Sequence, residues 1–286
     1  FMLKKFKYLI QVIIIYLFFL IGCVLGMKLS RKIFSFLFLN IAPFCNSKRI
    51  IKKNIEIYSK DISNFDEKKI VNGMWKNYGM TFIEYIYLDK LRKKSDEFLI
   101  HGENNISNVI KNNKPVIFVS GHFANFELMS MIITKKKISL ATIYRPLNNI
   151  FLNPFMEYLR KKFVCKNQIK KGISGVREAI KFIKKNNSIA LMIDQRVSEG
   201  EKINFFGKPA LTTTLPAQLS IKYNLGIIPV FIKRVGDENF EIKFLNEINP
   251  DNYKNKTELT IKLNDILEKM IIENPAQWIW SHNRWK

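Results

Sequence analysis

The stretch "KPVIFVSGHFANFEL", residues 114–128, begins with a short, largely apolar run that is rich in β-branched side chains and ends at Gly121. A run of this kind is typical of a strand that is buried on both faces of a sheet. Gly121 is followed by His122 and, five residues later, by Glu127. The stretch therefore predicts a buried strand that ends at polar side chains, with a helix beginning just after it.

The segments that follow repeat this alternation of strand and helix. Four such repeats predict an α/β fold with a mostly parallel sheet flanked by helices on both faces. The predicted strands and helices after the first strand are 124–136 (helix), 138–144 (strand), 153–163 (helix), 175–186 (helix), 188–194 (strand), 214–224 (helix), 226–234 (strand), 240–248 (strand) and 256–273 (helix).

The amino-terminal region is a candidate membrane anchor. From Tyr8 to Met27 the chain has 20 residues with Gln11 as the one clearly polar side chain, which is long enough to span a bilayer as a helix. The alternative is a cleaved signal, since "LIGC" at Leu20 to Cys23 resembles a lipoprotein cleavage box, but the apolar run continues beyond it and no A-x-A site follows. We predict an uncleaved anchor over 1–34, preceding an α/β domain over 35–286.

The composition of the chain indicates which kinds of molecule it binds. The chain of 286 residues has 47 Lys and Arg against 24 Asp and Glu, a net charge of +23, which favours an anionic partner such as a membrane face or a phosphorylated molecule. No nucleic-acid-binding module pattern is present, and the aromatic residues fall in apolar runs, so no nucleic-acid partner is predicted. The three cysteines, at 23, 45 and 165, lack metal-ligand spacing, and no metal site is predicted.

Polar clusters follow three of the predicted strands. In parallel sheets the carboxyl ends of the strands border one crevice, where functional side chains gather. We therefore expect these clusters to share one site. They are Gly121-His122, Tyr144-Arg145-Pro146 and Asp194-Gln195-Arg196.

The spacing of His122 and Glu127 suggests acid–base chemistry. On one continuous helix, residues five apart point about 140° away from each other and do not meet. If His122 lies in the turn before the helix, however, Glu127 can accept a hydrogen bond from its ring and fix the tautomer. Because no G-x-S-x-G nucleophile motif is present, His122 would deprotonate a substrate hydroxyl directly. On spacing alone, a half-buried histidine with a glutamate that stabilises a helix start remains an alternative.

The motif and its surroundings resemble a known family. "SGHFANFEL" resembles the H-x-x-x-x-[DE] motif of glycerolipid acyltransferases, and further segments narrow the resemblance to the bacterial lipid A biosynthesis acyltransferases, the late lauroyl and myristoyl transferases. The resemblance runs from about residue 45 to the end of the chain. Its other segments are "RIIKKNIEIY", "IYRPLNNIFLNPFMEYLR", "ALMIDQR", "FFGKPALTTTLPAQLSIKYNLGIIPVF" and "PAQWIWSHNRWK".

This resemblance implies an O-acyltransferase that needs no metal or organic cofactor. It implies transfer of a fatty acyl chain from acyl carrier protein to a hydroxyl of a phosphorylated glycolipid, a lipid A precursor, at the cytoplasmic face of the inner membrane. By position, His122 would be the general base and Glu127 its orienting carboxylate. Arg160 would stabilise the oxyanion of the thioester.

The resemblance also implies substrate contacts. Asp194 and Gln195 would line the acceptor crevice, Arg145 and Arg196 would contact phosphates, and Thr212 and Thr213 would shape the pocket. Simpler structural roles remain open, because Asp194 can cap a turn and the threonines can cap the helix that follows them. Two other functions also remain open: acylation of a different glycolipid or an aminolipid, from acyl-CoA or acyl carrier protein, and a membrane-tethered anionic-lipid-binding protein with a degenerate site.

Overall fold

The computed structural model describes residues 2–41, 44, 47–61, 65–94, 98–111 and 114–286, so that Cys45 lies outside the described residues. The helices in these ranges are α1 (Met2–Leu25), α2 (Met27–Ile41), α3 (Lys48–Tyr58), α4 (Glu67–Glu84), α5 (Leu88–Lys93), α6 (Asn104–Lys111), α7 (Glu127–Lys135), α8 (Asn153–Leu159), α9 (Ile173–Ile183), α10 (Leu215–Tyr223) and α11 (Lys256–Glu273). The strands are β1 (Phe98–His101), β2 (Ile117–Ser120), β3 (Leu140–Tyr144), β4 (Asn167–Lys170), β5 (Ser188–Met192), β6 (Glu201–Phe205), β7 (Lys208–Thr212), β8 (Ile227–Val235) and β9 (Asn239–Phe244).

Seven of these strands form one sheet, in the order β1-β9-β8-β2-β5-β3-β4. All neighbouring pairs in it are parallel except β8 and β9, which are antiparallel. The predicted mostly parallel sheet is therefore confirmed. The segment that includes "FFGKPALTTT" contributes to a separate antiparallel hairpin made by β6 and β7.

The central strand β2 shows why its sequence lacks alternation of polar and apolar residues. All four of its residues are buried. Ile117 and Val119 face a core that includes α10 and α11, whereas Phe118 faces a second core that includes α6 and α7. Since each fully buried side chain of this kind contributes about 1.5–3 kcal/mol, both faces favour apolar residues.

The amino-terminal helices pack against the sheet domain. Among the described residues, α1 is the one helix that is long and apolar enough to cross a bilayer. The 18-residue stretch of α1 that meets this criterion has a mean hydropathy of 2.6 and is 17 % buried. The next helix, α2, lies against α4 so closely that a Cβ on Gly79 would come 2.1 Å from the Phe34 carbonyl oxygen. The domain boundary predicted at residue 34 thus falls within α2.

The loop after β3 also contacts α1. The side-chain amide of Asn149 donates to the Tyr8 carbonyl oxygen at 2.9 Å, and Val12 packs with Leu152 and Met156 of the same region. One stripe of α1 is therefore fixed to the sheet domain, while most of its apolar side chains remain exposed.

Candidate active site

The register of the sheet brings two of the predicted polar clusters together. Strands β2 and β5 are parallel neighbours in which Ser120 pairs with Met192. The Ile193 amide then donates to the Ser120 carbonyl oxygen at 2.9 Å, which continues the pairing beyond both strand ends. His122 and Asp194, each two residues past its strand, therefore leave the carboxyl edge of the sheet side by side.

These two residues form a direct hydrogen-bonded pair. His122 Nδ1 lies 2.7 Å from Asp194 Oδ1, and the His122 backbone amide donates to Asp194 Oδ2 at 2.8 Å. The Asp194 side chain is fully buried, whereas 19 % of the His122 side chain is exposed. A carboxylate at Nδ1 favours the tautomer with its proton on that nitrogen, which leaves Nε2 as the acceptor. This is the arrangement that a histidine general base requires.

The carboxyl-terminal segment completes the surroundings of Asp194. The Trp278 indole Nε1 donates to Asp194 Oδ2 at 2.9 Å. Burial alone would raise the pKa of Asp194, but the charge and hydrogen bonds of His122, together with Trp278, hold it below its ordinary value. Asp194 therefore stays ionised beside the imidazole.

A second histidine lies nearby but is held differently. His282 Nε2 accepts a hydrogen bond from the Arg196 backbone amide at 2.9 Å. Burial lowers the pKa of His282. The Asp194 carboxylate opposes this shift, but the nearby Arg284 and Arg145 add to it, and the pKa stays below its ordinary value. His282 thus holds the turn after Asp194.

In place of the predicted hydrogen bond with Glu127, the His122 ring forms its hydrogen bond with the Asp194 carboxylate, which accepts it. Glu127 Oε1 instead accepts from Arg160 Nε and from the Tyr85 hydroxyl, each at 2.7 Å. The reason is geometric: Glu127 opens α7 and turns toward α8, whereas Asp194 comes from the strand adjacent to β2. The interpretation of Glu127 as the carboxylate that contacts His122 is therefore corrected.

Arg160 is buried in an aromatic and anionic pocket at the end of α8. Its guanidinium lies 5.8 Å from the ring centroids of both Tyr85 and Tyr144. Desolvation would lower the pKa of Arg160, but the Glu127 carboxylate and Tyr85 raise it above its ordinary value. The structure therefore joins the predicted residues Glu127 and Arg160 to each other as a mostly buried ion pair.

A buried charge network supports the motif loop, residues 121–126 between β2 and α7. Glu84 accepts from Arg31 Nε at 2.7 Å, from Arg234 Nη1 at 2.5 Å and from the Asn125 amide at 2.8 Å. Burial would raise the pKa of Glu84, but Arg234 and Arg31, together with the Asn125 amide, hold it below its ordinary value. One carboxylate thus connects α2, α4 and β8 to the motif loop.

Sequence reasoning missed this network. Arg31 lies in an apolar helix beside the predicted anchor, Glu84 in an amphipathic helix and Arg234 at a strand end, and no spacing relates them. One signal in the sequence could have indicated the network: Glu84 is the one charged residue in the segment 77–88. A charge on a helix that packs on both faces needs a partner of opposite charge.

We expect Glu84→Gln to lower stability, because it leaves two buried guanidinium groups without their carboxylate. Loss of one partner from a buried ion network costs about 3–5 kcal/mol, and a loss of that size corresponds to a fall in melting temperature on the order of 10 °C. The measurement is thermal unfolding of the detergent-solubilised chain. The control is Glu103→Gln, which removes a half-exposed partner of Lys136 and is expected to cost less than about 1 kcal/mol.

The pH dependence of this difference follows from the lowered pKa of Glu84. A carboxyl group whose folded-state pKa is below its unfolded value of about 4.3 stabilises the fold above that pH, and the contribution is lost as the pH falls through the folded-state value. The difference in the free energy of unfolding between wild type and Glu84→Gln should therefore be largest near neutral pH and decrease in acid. A gap that stays constant down to the acid-unfolding limit would contradict this account.

Arg145, Gln195 and Arg196 follow strand ends at the carboxyl edge of the sheet but differ in how exposed they are. Arg145 is exposed and donates to Asn148 Oδ1 at 3.2 Å, whereas Gln195 is partly buried. Arg196 is also partly buried, and its Nε is enclosed without a hydrogen-bond partner. The edge therefore offers guanidinium donors on two neighbouring strand ends.

The two predicted threonines follow one another at the end of β7. Thr212 is buried, donates to the Ala210 carbonyl oxygen at 3.0 Å and accepts from Arg284 Nη2 at 2.6 Å. Thr213 Oγ1 accepts from the Leu215 amide at 3.4 Å, at the start of α10. The contacts of Thr212 and Thr213 are thus internal to the chain in this structure.

Comparison with known proteins gives the family of this chain. The model of the family described as bacterial lipid A biosynthesis acyltransferase matches residues 2–286. The chain belongs to this family. The resemblance drawn from the sequence motifs is therefore confirmed, and with it the class of enzyme, an acyltransferase.

The relatives are distant in sequence but match over most of their length. The chain is 24 % identical to the lipid A biosynthesis palmitoleoyltransferase of Escherichia coli K12 over 256 residues, covering 85 % of this chain and 80 % of the relative. It is 22 % identical to a lipid A biosynthesis acyltransferase of Haemophilus influenzae, covering 88 % and 82 %. A solved structure, the 1-acyl-sn-glycerophosphate acyltransferase of Thermotoga maritima, matches with 15 % identity and a TM-score of 0.42, over 87 % of this chain and 99 % of that one.

Proposed function

We propose that this acyltransferase transfers a fatty acyl chain from acyl carrier protein to a hydroxyl of a lipid A precursor. The observation that supports this most directly is the His122–Asp194 pair at the carboxyl edge of the sheet, in a chain of the lipid A acyltransferase family. Because Asp194 pairs with Nδ1 of His122, Nε2 of the same ring is free to accept a proton.

In the proposed reaction His122 Nε2 removes the proton of the acceptor hydroxyl as its oxygen attacks the thioester carbonyl carbon. The new C–O bond forms an oxyanionic tetrahedral intermediate, and collapse of this intermediate breaks the C–S bond. The imidazolium then returns the proton to the departing thiolate, so no external acid or base is consumed. Buried Asp194 stabilises the imidazolium while it exists.

We assign the surrounding cations to charge stabilisation and recognition. Arg160 keeps its charge through its pairing with Glu127, and we propose that it stabilises the developing oxyanion. Arg145 and Arg196 would bind the phosphates of the acceptor, because the planar guanidinium fork matches phosphate oxygens.

Gln195 and the threonines are given smaller roles. Gln195 follows the orienting carboxylate and would line the acceptor crevice. We propose that Thr212 and Thr213 act on the pocket through the local structure they stabilise, since both make internal hydrogen bonds.

The membrane arrangement is also a proposal. Helix α1 would cross the inner membrane once, with the catalytic domain on the cytoplasmic face, where basic flanking residues favour retention. The loop at Asn149 is fixed to α1 through Tyr8, which would keep the site near the membrane surface that holds the lipid acceptor.

The test is mass spectrometry of lipid A from a bacterial host that lacks its own late acyltransferases and is supplied with this chain. We expect a new species heavier by one acyl chain, whose mass also gives the chain length. The matched control is the host that carries the empty vector. If the protein is present in the membrane and lipid A is unchanged, lipid A is not the acceptor, and a new acylated species in total lipid extracts would identify another glycolipid or an aminolipid.

A further inference from the structure

The chain carries a strongly basic segment between α8 and β5 that the proposed chemistry does not use. Residues 161–187 contain one acidic residue, Glu178, and all of the basic residues in this range are exposed. The basic residues are Lys161, Lys162, Lys166, Lys170, Lys171, Arg177, Lys181, Lys184 and Lys185.

Most of these cations have no carboxylate partner. In the described part of the chain, which includes all of this segment, only Lys170 has a carboxylate oxygen within 4 Å, that of Glu157 at 3.6 Å. On α9 and just beyond it, Arg177, Lys181 and Lys184 recur every three or four residues, so they form one stripe along the helix. Glu178 lies on the same helix, but the three cations of the stripe have no carboxylate within 4 Å among the described residues. This excess of positive charge makes a local positive potential that attracts an acidic partner.

This stripe begins at the edge of the sheet that holds the site. Strand β4 is the parallel neighbour of β3, and the Lys171 amide just after it donates to the Tyr144 carbonyl oxygen at 2.8 Å. Helix α9 therefore starts at the carboxyl edge and runs away from it for 11 residues, about 16 Å at the standard helical rise. At this starting point Ile173 has 80 % of its surface exposed.

The position of α9 favours a soluble partner over the bilayer. Ala179 and Ile183 of α9 pack on the sheet face that includes Ala141, whereas α7 and α8 pack on the opposite face, which includes Leu140. Helix α1 packs against α8 through Val12 and Met156. The α9 stripe therefore lies on the face of the sheet away from the candidate membrane helix.

We propose that the α9 stripe, defined as Arg177, Lys181 and Lys184 with the exposed Ile173, is the docking surface for an acidic acyl-carrying protein. The inference rests on the proposed function, which requires a thioester donor. An acidic partner along α9 would neutralise the stripe, make an apolar contact at Ile173 and place its thioester-bearing arm at the edge that holds His122. Complementary charge of this kind raises the association rate and fixes the register of a complex.

The experiment uses the full chain, purified in detergent, and the triple variant Arg177→Glu/Lys181→Glu/Lys184→Glu. The control is Lys208→Glu/Lys222→Glu/Lys269→Glu, which makes the same charge change at exposed positions elsewhere. Binding of fluorescently labelled acyl carrier protein is measured by anisotropy, and transfer is measured with an acyl carrier protein donor and with a small S-acyl-pantetheine donor.

We expect the α9 variant to raise the Kd and the KM for the carrier protein at least about tenfold, with the control changed less than about twofold. The rate of transfer from S-acyl-pantetheine should be the same in the α9 variant and in the control variant. Equal carrier binding by the α9 variant and the control would overturn the docking proposal. So would loss of binding to phosphatidylglycerol vesicles in the α9 variant with carrier binding unchanged, since the stripe would then contact the membrane.

The two proposals fail in different ways. If the wild-type chain transfers no acyl group from either thioester, the proposed function fails, while the anisotropy measurement still decides whether the carrier protein docks on α9. If transfer from both donors proceeds and the α9 variant has an unchanged KM for the carrier, only the docking surface is wrong.

Discussion

His122→Ala is expected to reduce acyl transfer by about 10²–10⁴-fold, the usual contribution of a positioned general base. The loss should appear in kcat and equally with carrier-bound and small thioester donors, because the missing step is the removal of the hydroxyl proton. The measurement is the initial rate of product formation with purified enzyme in detergent.

The fold should survive this substitution. Asp194 keeps its hydrogen bonds from the backbone amide at position 122 and from Trp278, and the lost side chain is partly exposed. Thermal unfolding of the variant is the control. Turnover equal to wild type in a folded His122→Ala protein would contradict the assignment of His122 as the base.

Asp194→Asn is expected to reduce transfer to a similar extent, about 10²–10⁴-fold, because the general base then has the wrong tautomer. The carboxylate accepts three hydrogen bonds here, two from His122 and one from Trp278. An asparagine has one acceptor oxygen, and its NH₂ group would face donors or favour the tautomer with the proton on Nε2. His122 would then present a proton rather than a lone pair to the substrate hydroxyl.

The comparison with Glu127→Gln decides which carboxylate orients the histidine. Glu127 contacts Arg160 and Tyr85, so Glu127→Gln should alter the rate without changing the tautomer of His122. The ¹⁵N chemical shifts of the labelled His122 ring report the tautomer directly. A tautomer change in Glu127→Gln, with none in a folded Asp194→Asn protein, would restore the interpretation drawn from the sequence motif.

Much of the fold could be predicted because it depends on local patterns. The uninterrupted apolar run before Gly121 indicates a strand buried on both faces, and the alternation with amphipathic helices indicates a parallel sheet. Strands β1, β4, β6 and β7 were not predicted, since two of them lie at the sheet edges and two form a separate hairpin, where short strands have weak periodicity.

The candidate site could be predicted as a place, but its internal contacts could not. His122, Arg145 and Asp194 all follow parallel strands, and this alone puts them at one edge. Which groups touch depends on strand order. Because β5 rather than β3 lies beside β2, Asp194 reaches His122 across a separation of 72 residues, whereas Glu127, only five residues away, turns toward Arg160.

The sequence by itself therefore determined the class of the sheet, the apolar amino-terminal helix, the motif histidine and the edge where it lies, because each follows from the local order of residues. Only the tertiary structure decided the carboxylate of His122 and the Glu84 network, whose arginines are 53 and 150 residues from it in sequence. A buried charge takes as its partner whichever opposite charge the packing of distant elements brings within hydrogen-bonding distance.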